Sequence, residues 1–461
     1  MELREIIVLA LKFSLVMIPF ALVPLMILME RRGAAYIQDR PGPGRAAIQI
    51  GGLRLRAFGM IHNLTDGVKL FFKESFIPPF ANKWFYVLAP AIPVITAVLT
   101  PALIPWFGPF SFLSAETGKP ISVVAPFLDA NAGVLALFAL GSLSVYGIVL
   151  GSWASRSKYA LLGGMRASAM MISYEVSMGL SALGLFLLVG SFSLTAVVDW
   201  QAQNTWGIFV QPIGFLLFLT SMFAETNRNP FDVAEGESEI VAGFHTEYSG
   251  VKFALYFMGE YCHIVIASAL IATLYLGGYD LLPFDLSLGD RLSWLPAGPY
   301  NARFIAEHLG GMLALVLGTT ALLAFAFNLL IGRRSRRYGQ MAASDKVSRL
   351  REYTFFRAVS LLAGLGLAAG AVAAFLLVDP KPLPGVAGQI YLLSVSLAVA
   401  AVQIGVVLAK TLFFCWLFVW VRWTLPRFRY DQIMALGWKV MINIALVNLL
   451  VTAVIAKLVM K

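Results

Sequence analysis

The 461-residue chain is 59% apolar and only 13% charged, with a mean hydropathy of +0.79. A soluble domain carries about a quarter charged residues, so this composition excludes a soluble globular protein, and it excludes a disordered one as well. Two cysteines, Cys262 and Cys415, exclude a disulfide scaffold, and the net charge of +10 is read as orientation in a membrane rather than nucleic-acid binding.

Apolar runs fall at about 6–29, 84–107, 132–153, 169–190, 206–224, 251–276, 304–331, 358–378, 390–421 and 433–456. Each is long enough to cross a hydrocarbon core of roughly 30 Å as a helix. The expectation is an all-α polytopic membrane protein of about ten transmembrane helices, without the alternating pattern of a barrel. The first run lacks a small-x-small cleavage site and ends in Glu30-Arg31-Arg32, so it reads as a retained helix.

The connection 30–83 follows. In it, Pro41-Gly42-Pro43-Gly44 reads as a stiff turn, because alternating prolines remove the amides a phosphate-cradling loop needs. Over 57–74, Phe58, Ile61, Leu64, Val68 and Phe71 recur at helical spacing, with Asp66, Lys69, Lys73 and Glu74 between them. This predicts an amphipathic helix at the membrane surface, or an ordinary loop helix packed on the bundle. The connections 30–83, 154–168, 225–252, 332–357 and 422–439 hold 26 of the 35 Lys and Arg, which predicts that this side is cytoplasmic and both termini are periplasmic.

Segment 222–261 concentrates Glu225, Asp232, Glu235, Glu237, Glu239, Glu247 and Glu260, seven of the 25 acids, against Arg228 and Lys252. A solvated acidic loop is the ordinary fate of such a run. Interleaved Phe231, Val233, Ile240, Val241 and Phe244 argue instead for burial, and Glu175 and Glu260 lie inside apolar runs, where ionisable groups are costly. Crowded carboxylates raise one another's pKa and titrate as a set, which suits proton handling. If 235–239 is helical, Glu235 and Glu239 share a face.

The run 390–421 is overlong and must tilt or project, and within it Lys410 is open between a structural and a functional role. Arg422, Arg427 and Arg429 stand among Trp420, Trp423, Phe428 and Tyr430; with Arg31, Arg32, Arg40 and Arg45 they suit positive-inside anchoring, lipid headgroups, an acidic partner or the mouth of an apolar ligand's cavity. The histidines His62, His245, His263 and His308 share no metal-ligand spacing, so no bound metal is expected.

Five blocks carry a family resemblance: ERRGAAYIQDRPGPGR (30–45), DGVKLFFKE (66–74), SLSVYGIVLGSWASRSKYALLGGMRASAMMISYEV (142–176), AETNRNPFDVAEGESEIVAGFHTEYSG (224–250) and WVRWTLPRFRYDQIMALGWK (420–439). In these the chain resembles the quinone-chamber membrane protein of bacterial respiratory complex I, its H subunit. The resemblance implies a proton-pumping NADH:quinone oxidoreductase in the bacterial inner membrane. In such a complex this component admits quinone and couples its reduction to proton translocation, while FMN and iron–sulfur clusters reside on partner subunits. The implied partners are hydrophilic-arm subunits, small membrane subunits, antiporter-like subunits, quinone and lipids, with no nucleic acid. Carried over by motif, Glu30, Arg31, Arg40, Asp66, Arg228, Arg422 and Arg427 line or support the chamber and its access. Glu175, Glu225, Asp232, Glu235, Glu237, Glu239, Glu247 and Glu260 form the proton path, and Arg228 pairs with Glu225 if that turn is helical.

The chain departs from the family at Gly44, His62-Asn63, Ser177 and Ala234, where Asn, Gln-Pro, Pro and Pro are usual. It also departs in length: the family core has eight spans, so 304–378 reads as an extra helix pair joined by the basic loop 333–357. The runner-up is the equivalent subunit of a membrane-bound hydrogenase. A stand-alone proton or cation transporter would show inverted repeats, and the sequence has no internal self-similarity of that kind.

Overall fold

The computed structural model describes residues 3–40, 42–50, 53–108, 110–113, 120–123, 126–128, 130–234, 236–280, 309–338, 343–377 and 386–459. Among these, nine helices are long and apolar enough to cross a membrane, and the chain is a multi-pass membrane protein. The amino-terminal span is two stacked helices, α1 (Leu3–Val16) and α2 (Ile18–Ile37), parted at Met17 because Pro19 has no N–H to return to the preceding turn. A short hairpin follows, β1 (Ile48–Ile50) with β2 (Leu53–Leu55), Ile50 opposite Leu53. It leads through the turn Ala57–Gly59 into α3 (Met60–Phe72), the expected amphipathic helix. Ile61 is buried, whereas Leu64, Val68 and Phe71 stay exposed, leaving an apolar face for lipid or a partner.

Helices α4 (Lys83–Leu88) and α5 (Ala91–Leu99) together make the second span, and a second hairpin, β3 (Phe110–Leu113) with β4 (Pro120–Val123), precedes α6 (Gly133–Ala154). Helix α7 (Lys158–Val189) starts eleven residues before the apolar run at 169, because Lys158 and Arg166 are tolerated in a helix beyond the hydrocarbon; it stops at Gly190, whose φ of 73° ends it.

The expected fifth span, 206–224, is interrupted. After α8 (Leu194–Gln203), α9 (Gly207–Val210) is separated from α10 (Pro212–Glu225) by Gln211, which has non-helical backbone ahead of the proline. The Gln211 amide is held by Thr452 at 2.6 Å and Asn448 at 2.9 Å, so its polar atoms are satisfied inside the bundle. Helix α10, at 14 residues, is only about 21 Å long. A single-turn α11 (Glu237–Ile240) lies in the acidic segment before α12 (Gly250–Tyr275).

Helix α12 is the axis of the bundle, packed against α2, α3, α5 and α10, with 78% of its most apolar stretch buried. The two helices after it, α13 (Leu309–Tyr338) and α14 (Ala343–Leu377), pack mainly on each other and bury only 17%. The basic connection expected at 333–357 is largely the continuation of these two helices, since Arg and Lys sustain helix beyond an apolar span. Helix α15 (Val386–Thr424) is 39 residues, about 58 Å, and so is overlong as expected. Short α16 (Tyr430–Ala435) passes through a π-helical turn, Leu436–Met441, into α17 (Ile442–Val459).

Candidate functional site

Glu30, near the end of α2, is 8% exposed. A lone buried carboxylate is costly, and here three groups answer it, two from other helices and one from the turn after α10. Arg422 of α15 donates to Oε1, while the Tyr261 hydroxyl and Arg228 Nη1, the latter at 3.4 Å, reach Oε2. The Arg228 guanidinium also lies 4.4 Å from the centre of the Tyr261 ring, a cation–π contact. This cluster forms one wall of a cavity of about 540 Å³. Ile27, Ala34, Phe257 and Trp423 give the cavity apolar surface; Arg31, Arg40, Arg45 and His62 give it polar groups.

The turn Gly42-Pro43-Gly44 is another part of the lining. His62 Nε2 accepts the backbone N–H of Arg45 at 3.0 Å and of Ala46 at 3.1 Å, tying that turn to α3. Asn63 donates to Pro24 O at 2.6 Å, and Ser177 pairs with Ser221 at 3.0 Å. Three of the positions that depart from the family pattern therefore make polar contacts of their own. Arg31 pairs with Asp66 of α3 at 2.5 Å, more openly, both side chains being over a third exposed.

Beyond α10 the chain turns through Asn227, whose φ is 49°. Asp232 is buried and accepts from Arg427 at 2.7 Å, and Asn229 donates to the carbonyls of Arg422 and Leu425 at 2.9 and 3.0 Å. Phe231 packs edge-on to both Tyr174 and Phe428. On the other side of this segment lies a small cavity of about 30 Å³, lined by Ser144, Glu225, Thr226, Asn227, Tyr256, Glu260 and His263 among others. Oε2 of Glu225 and Oδ1 of Asn227 are buried without a hydrogen-bond partner among the described residues. The space suits about one or two waters, which would satisfy both oxygens. Nearby on α7, Glu175 accepts from Ser142. Tyr248 stacks on Tyr86 at 4.2 Å, and burial pushes its phenol well above the ordinary range, so it stays a donor.

A family model described as NADH dehydrogenase matches residues 9–343 and 350–453. The chain is 35% identical to an H subunit of the NADH-quinone oxidoreductase of Cytophaga hutchinsonii, over 92% of this chain and 89% of that one. It is 36% identical to NADH-quinone oxidoreductase subunit 8 of Rhodothermus marinus, over 93% and 91%. It is 34% identical to the NADH-quinone oxidoreductase H subunit of Bdellovibrio bacteriovorus, over 94% and 91%. The chain belongs to the H-subunit family of NADH-quinone oxidoreductase. It is a membrane subunit of complex I and assembles with other subunits of that oxidoreductase.

In this member of the family, the residues singled out by sequence divide into groups. Glu30, Arg31, Arg40 and Arg422 line the larger cavity, with Arg228 and Asp66 bound to its wall. Arg427 is outside the cavity lining and holds Asp232. Glu225 and Glu260 line the small cavity. The conditional pairing of Arg228 with Glu225 is replaced by the contact with Glu30, because α10 ends at Glu225 and the following turn is not helical.

Glu239 is exposed and pairs with Arg166 at 2.6 Å, against the burial expected of it; α11 is a single turn at the surface and cannot carry it inward. Glu247 is half-buried, and its carbonyl accepts from Tyr86 at 2.6 Å. Glu235 and the side chain of Glu237 lie outside the described residues.

Sequence alone does not single out Tyr261, His62 or His263 as site residues. Tyr261 follows Glu260 in an apolar run, a signal that is present but local, whereas its partner Glu30 is 231 positions away. Lys410, left open by sequence, caps the end of α12. It donates to the carbonyls of Leu276 at 2.5 Å, Gly278 at 2.9 Å and Asp280, and its ammonium lies 4.4 Å from the Trp206 ring centre. Beside it, Tyr279 donates to Asp199 at 2.6 Å, and burial followed by that carboxylate holds its phenol far above the ordinary value.

Proposed function

We propose that this chain forms the chamber through which quinone reaches the electron-donating partner subunits of complex I. We further propose that it couples quinone reduction to proton movement through the carboxylates Glu175, Glu225, Asp232, Glu235, Glu237, Glu239, Glu247 and Glu260. The observation that carries the reading is the larger cavity: apolar side chains for a prenylated ring, with the charged groups Glu30, Arg31 and Arg422 in the same lining. The proton branch is supported by the small polar cavity, where a buried carboxylate and an amide oxygen lack protein partners among the described residues. The side bearing the basic connections faces the cytoplasm and the hydrophilic arm, both termini face the periplasm, and small membrane and antiporter-like subunits lie in the bilayer beside it. The redox groups, FMN and iron–sulfur clusters, belong to the partners; quinone is the substrate.

Arg422→Ala in assembled complex tests this. It removes a guanidinium from the cavity lining and frees the wall carboxylate it holds, Glu30, so the misplaced wall should raise KM for quinone by roughly tenfold or more. NADH oxidation by a water-soluble acceptor that bypasses quinone should be unchanged. Wild-type KM and wild-type affinity for quinone-site inhibitors would overturn the placement.

A further inference from the structure

The helix pair α13–α14 is peripheral, yet it sends one buried carboxylate into the loop that shapes the larger cavity. Glu352 of α14 is 5% exposed. Its Oε1 accepts the backbone N–H of Arg56 at 2.7 Å and of Ala57 at 3.1 Å, and its Oε2 lies 3.4 Å from Nη1 of Arg56. A carboxylate buried this far from solvent persists only when its charge and lone pairs are answered, and here a loop 296 positions away answers them.

That loop is strained. Ala57 and Phe58 have φ of 45° and 54°, left-handed conformations that a non-glycine residue keeps only where the surroundings hold it there. They are held from two sides. Glu352 fixes the amides that open the turn. Arg32 of α2 donates to the Phe58 carbonyl, its Nε at 2.9 Å. The Phe58 ring packs against Phe327 of α13 and Phe356 of α14, at 5.4 and 4.9 Å between centres. The next residue, Gly59, has φ of 99° and sits so close to Pro43 that a Cβ there would lie 2.8 Å from the Pro43 carbonyl oxygen. Pro43 lines the cavity, and α3, which begins at once after Gly59, supplies His62.

We propose that the helix pair is a brace for the cavity wall and that Glu352 is a positioning residue for quinone binding. It holds the 56–59 turn, and through Gly59 it sets Pro43 and the start of α3 in the shape that admits the ligand. The proposal rests on the cavity being the quinone chamber. A pair that only filled lipid space would need no buried carboxylate reaching a loop.

The test is steady-state kinetics of assembled complex carrying Glu352→Ala, Glu352→Asp or Glu352→Gln. Glu352→Ala should raise KM for quinone by about five- to tenfold, the effect of a misplaced wall at a distance from the ligand, with kcat within twofold. Glu352→Gln retains the oxygen that accepts both amides while giving up the ion pair with Arg56 at 3.4 Å, and should recover most of the alanine defect, to within about threefold of wild type. Glu352→Asp, one methylene short, should fall between them. If the alanine variant does not assemble, the aspartate variant against the glutamine variant carries the same comparison. Wild-type KM in the alanine variant, or in the aspartate variant where alanine fails, overturns the brace, and so does an equal defect in alanine and glutamine variants. A raised KM in Arg422→Ala alongside a wild-type KM in Glu352→Ala strikes the brace alone. Wild-type KM in both strikes the chamber itself.

Discussion

Replacing Glu30 by Ala removes the carboxylate that three groups share. Two guanidinium groups remain, Arg228 and Arg422, whose side chains are 7% and 24% exposed. Removing one partner of a buried ion pair costs about 3–5 kcal/mol, because the surviving charge loses that counter-charge in a poorly solvated place. Asp66→Ala makes a useful comparison, since it breaks the Arg31 pair whose side chains are 38% and 37% exposed. At that exposure an ion pair is worth about 0–1 kcal/mol. The difference, about 2–5 kcal/mol, corresponds to roughly 30- to 4,000-fold in the population of the locally opened state. The assay is the fraction of complex that stays intact on a native gel after brief heating, a readout independent of turnover. Glu30→Ala should lose most of its complex at a temperature where Asp66→Ala and wild type remain intact. The double variant Glu30→Ala/Arg422→Ala should be no worse than Glu30→Ala, because deleting the second charge relieves the first defect. Equal sensitivity of Glu30→Ala and Asp66→Ala, or strict additivity in the double variant, would mean that Glu30 is not the shared counter-charge of the two arginines.

Two further outcomes separate the carboxylates and the structural lysine. Glu225→Gln, at a buried point of the proposed path, should abolish proton translocation while the complex assembles, whereas Glu239→Gln, at an exposed point of the same path, should cost less than about 1 kcal/mol of stability with its Arg166 pair and lower pumping only in part; pumping measured in proteoliposomes checks both, and wild-type pumping in either variant removes that carboxylate from the path. Lys410→Met strips a charged donor from three carbonyls at the end of α12 and should destabilise the fold by about 3 kcal/mol or more, seen as a lower melting midpoint with KM for quinone unchanged.

The spans are legible in the sequence because lipid demands long apolar runs, and the site residues are legible because charge is scarce in such a chain. Glu30, Arg228 and Arg422 each stand out on those grounds. Their convergence does not, since 198 and 392 positions separate Arg228 and Arg422 from Glu30 and no local pattern encodes a tertiary partner. The fifth span reads as continuous because Gln211-Pro212 inside an apolar run looks tolerable until the backbone stops there. The hairpin 48–55 leaves a signal, IQI and LRL around two glycines, that hydropathy alone passes over. Glu352 looks like one acid in a basic connection; only the packing of α14 against the 53–58 loop reveals what it holds.

The two cavities are joined by one short stretch of backbone. Glu225 and Asn227 line the smaller, Arg228 binds the wall of the larger, and Asp232 and Asn229 fasten the same stretch to 422–428. Arg228 N–H returns to Phe223 O at 3.2 Å and Phe231 N–H to Arg228 O at 2.8 Å, so Arg228 cannot shift without carrying its neighbours. Under the proposed function, any change of charge in the larger cavity acts on Glu30 and therefore on Arg228, its partner at 3.4 Å. Three residues back stands Glu225, a carboxylate with one buried oxygen that no described group satisfies. Charge at one cavity and protonation at the other are then linked through a single turn of chain held at both ends, and no longer route is required for the first step of coupling.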